Sequence, residues 1–79
     1  PPNNLIIGIT KSGEFFVNKK AYSEAELKEK IGFKAKNIAN LSVVIMADEE
    51  SAIKYAVKAM DICRQVGITN IAIAEEIER

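Results

Sequence analysis

The chain has 79 residues, 48% apolar and 28% charged, with 11 Lys and Arg balanced by 11 Asp and Glu. That is one small globular domain, too rich in Ile, Val, Leu and Phe to stay disordered, and its zero net charge argues against a sequence-independent polyanion binder. No apolar run approaches the roughly 20 residues of a membrane span.

Pro1-Pro2-Asn3-Asn4 reads as a linker remnant (residues 1–4), the folded domain as residues 5–75, and residues 76–79 as a charged tail. Leu5-Ile6-Ile7-Gly8-Ile9-Thr10 is β-branched and predicts a strand. Lys11-Ser12-Gly13-Glu14 predicts a tight turn, with Gly13 free to take positive φ. Phe15–Asn18 completes a hairpin. Asn18-Lys19-Lys20 reads as a second turn, from which Ala21 and Tyr22 lead out.

Ser23-Glu24-Ala25-Glu26 is a capping box, so a helix should begin at Glu24. Leu27, Ile31, Ala35 and Ile38 make one helical stripe, with Lys28, Lys30, Lys34 and Lys36 off or beside it. Gly32 costs about 1 kcal/mol in a helix interior. Phe33 points away from the stripe, so either the helix is irregular there or Phe33 is a surface aromatic.

Ser42–Ala47 predicts a third strand, apolar on both alternating faces and therefore central and covered on both sides. The acidic stretch Asp48-Glu49-Glu50 leads to a second helix over about residues 51–66, closed by Gly67 as a C′ residue. Thr69–Ala74 predicts a fourth strand, and Glu75–Arg79 a tail that frays or extends it. The order is ββαβαβ, an α/β (α+β) two-layer sandwich. Its four-stranded mixed sheet, to which the tail could add a fifth strand, carries two helices on one face. The other face then keeps some of Ile6, Val43 or Ile45 without a third layer to cover them.

The chemistry-bearing residues are sparse. There is no His, the side chain most used for acid–base work near neutral pH, and the one Cys excludes an internal disulfide or a Cys-based zinc cage. No catalytic, cofactor-binding or metal-ligating set can be read. Asp61 has Lys58 and Arg64 three residues away on either side, a spacing for surface ion pairs. Asp48 reads as a turn or capping residue before the second helix, and Cys63 as an inert buried thiol. The second helix has a strictly polar arc of only Lys54, Lys58, Asp61 and Gln65, so its apolar arc exceeds the usual stripe of a little over 100°. Tyr55 and Ile62, at the border of that arc, either pack on the first helix or contact a partner. Residues 1–40 carry 7 Lys against 4 Glu and residues 41–79 carry 4 Lys or Arg against 7 Asp or Glu, or +3 and −3. Two solvated faces, or an antiparallel contact between two copies, would account for that split.

Ala47-Asp48, Ala59-Met60-Asp61, Gly67 and Asn70-Ile71-Ala72-Ile73, in this order and spacing, resemble the periplasmic domain of the ExbD/TolR family. Asp48, Met60, Asp61 and Gly67 are the family-motif positions. The resemblance implies a non-enzymatic subunit of a bacterial inner-membrane motor that uses the proton-motive force. It couples an ExbB/TolQ-like channel to a TonB/TolA-like protein, with this domain in the periplasm and a membrane anchor expected upstream. It also implies a homodimer and, in TolR-like members, contact with peptidoglycan. The interface expected from sheet surface, last strand and second helix comprises Val43, Ile45, Tyr55, Ile62, Ile71 and Ile73. The alternative is a small-ligand-binding regulatory α/β module. No cofactor and no nucleic-acid partner are expected.

Overall fold

Two turns set up the N-terminal half of the sheet. In the computed structural model, which describes residues 3–76, β1 (Asn4–Ile9) and β2 (Phe15–Val17) form an antiparallel hairpin pairing Gly8 with Phe16 and Ile9 with Phe15. The Thr10 amide donates to the Glu14 carbonyl at 3.0 Å and the Gly13 amide to the Thr10 carbonyl at 2.9 Å. Gly13 has φ +90°, the conformation expected of a turn glycine. A second, two-residue turn follows, with Asn18 at φ 50° and Lys19 at φ 68°. Two successive positive-φ residues give the twist that suits adjacent antiparallel strands. The chain therefore continues into β3 (Lys20–Tyr22), paired with β2 through Phe15–Tyr22 and Val17–Lys20. This segment, expected as a turn and an exit, supplies the fifth strand. The tail contributes Glu75 and Glu76 to the last strand, and residues 1–2 of the linker and 77–79 of the tail lie outside the described residues.

The capping box starts α1 (Glu24–Asn37) where expected. The Glu26 amide donates to Ser23 Oγ at 3.2 Å and the Ser23 amide to Glu26 Oε1 at 2.9 Å. Those bonds, first the one from the Ser23 backbone, hold the Glu26 carboxyl below its ordinary range. The helix passes through Gly32 without a break and leaves Phe33 68% exposed. A Cβ at position 32 would lie 3.4 Å from Val66 Cγ1 on the second helix.

β4 (Ser42–Asp48), α2 (Ile53–Gln65) and β5 (Asn70–Glu76) form a parallel crossover, and the sheet order is β3-β2-β1-β4-β5. α2 starts after Ala52, which gives it no side-chain cap. It ends at Gly67, φ +87°. The architecture is a two-layer α+β sandwich with a five-stranded mixed sheet. The core lies between sheet and helices: Leu5, Ile7, Ile9, Phe15, Val17, Val43 and Ile45 meet Leu27 and Ile31 of α1 and Ala56, Ala59, Ile62 and Cys63 of α2. Each large aliphatic side chain buried there is worth about 1.5–3 kcal/mol.

β4 is hydrogen-bonded on both edges, yet the helices cover one of its faces only. Val43 and Ile45 are fully buried beneath them, while Val44 and Met46 alternate to the other side and stay half-buried. The expectation of cover on both sides is thus corrected, because the described residues hold no further element to form a third layer.

Candidate functional site

Three apolar surfaces remain after the core is assembled. The first is the helix-free face of the sheet. Register places Ala21, Phe16, Gly8, Met46 and Ala74 in one row across all five strands, with Ile6, Val44 and Ala72 in the next. Polar rows bound these two, Asn4–Ser42–Asn70 on one side and Asp48–Glu76 on the other. The Asn70 side-chain amide donates to Ser42 Oγ at 2.6 Å. Of the residues expected on this face, Ile6 is there, 55% exposed, whereas Val43 and Ile45 are core.

The second surface is the outer edge of β5. This strand pairs with β4 on one side and, among the described residues, with nothing on the other. An unpaired edge presents a row of backbone donors and acceptors able to receive another strand. Ile71 and Ile73 share the helix side of the sheet with Val43 and Ile45. Ile71 is partly buried against the core, but Ile73 is 53% exposed because α2 does not extend over the sheet rim.

The third surface is the flank of α2. At 100° per residue, Ile62 and Val66 fall on one side of the buried stripe and Ile53, Val57 and Met60 on the other. Gly32 of α1 meets Val66, so the first side faces α1 and the second faces β5. Ile53 is 81% exposed and Val57 57% exposed, with Met60 packed partly against the core. Ile53, Val57 and Ile73 are the exposed large apolar side chains of α2 and β5, and they make up the apolar shelf beside the β5 edge. The helix's wide apolar arc foreshadowed this excess. Which side carries it depends on the neighbour that α1 provides, which the arc by itself does not specify.

The other expected contact residues take structural places. Ile62 is buried in the core. Tyr55 lies against the hairpin turn instead of α1, its ring overlying Gly13 so closely that a Cβ there would stand 2.4 Å from Cζ. Lys54 Nζ sits 5.2 Å from the same ring, within cation–π range. Val43, Ile45 and Ile62 are therefore core in this chain and not contact surface, since the β1–β4 register turns the first two toward the helices.

The motif residues are likewise readable as architecture. Asp48 Oδ1 accepts the Glu50 amide at 2.8 Å and its carbonyl accepts the Ser51 amide at 2.9 Å, closing the turn before α2. Asp61 Oδ2 accepts from Gln65 Nε2 at 2.9 Å, in place of the expected ion pairs. Lys58 reaches Glu24 of α1 instead, at 3.6 Å. Gly67 closes α2 in the left-handed region. Cys63 is buried, and burial pushes its thiol up to about 11. Among the described residues no His, Cys, Asp or Glu cluster could hold a metal ion, and no helix is long and apolar enough to cross a membrane.

No curated protein matches the chain. The family model described as biopolymer transport protein ExbD/TolR matches residues 1–78, and the chain belongs to that family.

Proposed function

We propose that this chain is the periplasmic, non-enzymatic domain of an energy-transduction subunit driven by the proton-motive force. It couples an ExbB/TolQ-like channel in the inner membrane to a TonB/TolA-like protein, and it acts as a homodimer. The family supports the general role, biopolymer transport. The observation that carries the contact mechanism is the unpaired outer edge of β5, backed by the exposed Ile73, Ile53 and Val57. A strand added there extends the sheet through main-chain hydrogen bonds and lays alternate side chains on the apolar shelf. The same edge serves a second copy or an extended partner segment. Peptidoglycan contact belongs to the same reading for a TolR-like member.

The test is the Ile73→Asp variant in light scattering, beside the unchanged chain. A dimer that becomes a monomer supports the assignment, because a carboxylate would have to be desolvated in the new contact. A dimer of unaltered mass, or an unchanged chain that is monomeric at every concentration tried, overturns it.

A further inference from the structure

The zero net charge conceals a strong separation along the strand direction. β1, β4 and β5 run parallel, so their starts share one end of the domain. The β2–β3 turn, the end of α1 and the end of α2 lie at that end too. The segments gathered there, residues 3–5, 17–20, 33–42 and 64–70, contain Lys19, Lys20, Lys34, Lys36 and Arg64 and no Asp or Glu. The opposite end gathers residues 10–14, 23–26, 48–53 and 75–76, with 8 carboxylates against Lys11 alone. End to end, the domain is +5 at one pole and −7 at the other, and the residues between the poles supply the remaining +2.

Among the described residues no ion pair ties the five basic side chains to a carboxylate; the two pairs found there are Lys11–Glu50 and Lys58–Glu24. Phe33, the exposed aromatic of α1, stands one turn before the end of its helix beside Lys34 and Lys36. Helix dipoles account for Lys34 and Lys36 in the last turn of α1 and for Arg64 in the last turn of α2, and Lys20 Nζ lies 5.5 Å from the Tyr22 ring, so Lys19 is the one of the five that neither contact explains.

We infer that the basic pole docks on an anionic lipid surface. The pole is built from turns and helix ends; two hollows there, about 230 and 210 Å³, are below the roughly 300–1,000 Å³ of small-ligand pockets, and the larger ones bordered by Phe33 with Lys34 or Lys36, about 580 and 660 Å³, are also lined by Glu29, which opposes a small anion in them. A layer of phosphate headgroups matches projecting cations without needing a groove, and it accepts an exposed ring at its boundary. The acidic pole does not cancel the attraction. Seven residues of β4 put it about 20 Å away, more than two screening lengths of about 8 Å at physiological salt. The negative surface therefore orients the domain, basic pole inward and acidic pole outward, and leaves the β5 edge accessible at the side.

The test is co-sedimentation of the 79-residue chain with vesicles of phosphatidylcholine, with and without phosphatidylglycerol, at low and physiological salt. Binding is expected only to the anionic vesicles and to weaken as salt rises. The triple variant Lys19→Gln, Lys34→Gln, Lys36→Gln should lose on the order of 100-fold in partitioning, about fivefold per lysine. Glu49→Gln with Glu75→Gln, the same kind of change at the other pole, should not weaken binding. Circular dichroism and the unfolding midpoint show that each variant folds. No binding to anionic vesicles, equal binding to neutral ones, or binding retained by the triple variant overturns the inference. Salt-sensitive self-association without vesicle binding also overturns it and makes the acidic pole of a second copy the occupant.

Discussion

Placing Tyr55 over the hairpin turn has a consequence that a double-mutant cycle reads directly. In Gly13→Ala the new Cβ meets two separate costs. At φ +90° an L side chain pays roughly 1–2 kcal/mol in the left-handed region. It also stands 2.4 Å from Tyr55 Cζ, and the ring must swing aside; forced repacking of this kind costs about 1–3 kcal/mol. The single variant should therefore lose about 2–5 kcal/mol, a large share of the roughly 4–12 kcal/mol expected for a domain of this length. Tyr55→Ala loses the packing of a half-buried ring, about 2 kcal/mol. In the Tyr55→Ala background Gly13→Ala keeps only the backbone cost, so the two changes should couple by about 1–3 kcal/mol. Urea unfolding followed by far-UV circular dichroism measures all four proteins. Additivity within about 0.5 kcal/mol would refute the ring-on-glycine contact. It would also return Tyr55 to the set of residues available for a partner.

Three smaller changes test other parts of the fold. Gly32→Ala should stabilise by about 1 kcal/mol, because it gains helix propensity and its Cβ meets Val66 at ordinary contact distance; thermal unfolding should show a rise of about 4–8 °C. Ala52→Ser adds the missing acceptor at a position whose φ of −66° and ψ of 139° already suit a cap, and denaturant titration should show a gain of about 1 kcal/mol. Cys63 should resist thiol-specific reagents in the native state and react only as fast as the chain unfolds, since its thiol is buried and stays protonated up to about 11. The same shift sets a pH dependence. The unfolded thiol ionises near 8.5, so its contribution is complete below that pH and is lost as pH climbs toward 11.

The proposed contacts occupy different sides of the molecule. The β5 shelf is lateral, whereas the basic pole lies at the strand starts. An assembly on the shelf and a lipid contact at the pole are sterically compatible. Variants at Ile73 and at the lysines therefore separate them, the first changing mass and the second vesicle binding.

Local chemistry was enough to place most elements. The capping box located the start of α1, Gly67 the end of α2, and β-branched runs marked β1, β4 and β5, because each signal acts within a few residues. β3 escaped since a three-residue Lys-Ala-Tyr strand has no apolar pattern of its own; its pairing comes from the positive-φ turn at Asn18 and Lys19. β4 shows the boundary most plainly. Val43, Val44, Ile45 and Met46 are apolar alike, and their alternation guarantees two opposite pairs without saying which faces the helices. Parallel register with β1 resolved that, sending Val43 and Ile45 inward and Val44 and Met46 outward. Val43 and Ile45 of the expected contact set are core for that reason, Ile62 is core because it sits on the buried side of α2, and the exposed flank carrying Ile53 and Val57 is defined by α1 occupying the opposite flank of α2. Charge followed the same division. Composition fixed the sum at zero, but the separation of +5 from −7 exists only because parallel strands bring distant turns to a common end, a long-range pairing that no local window contains.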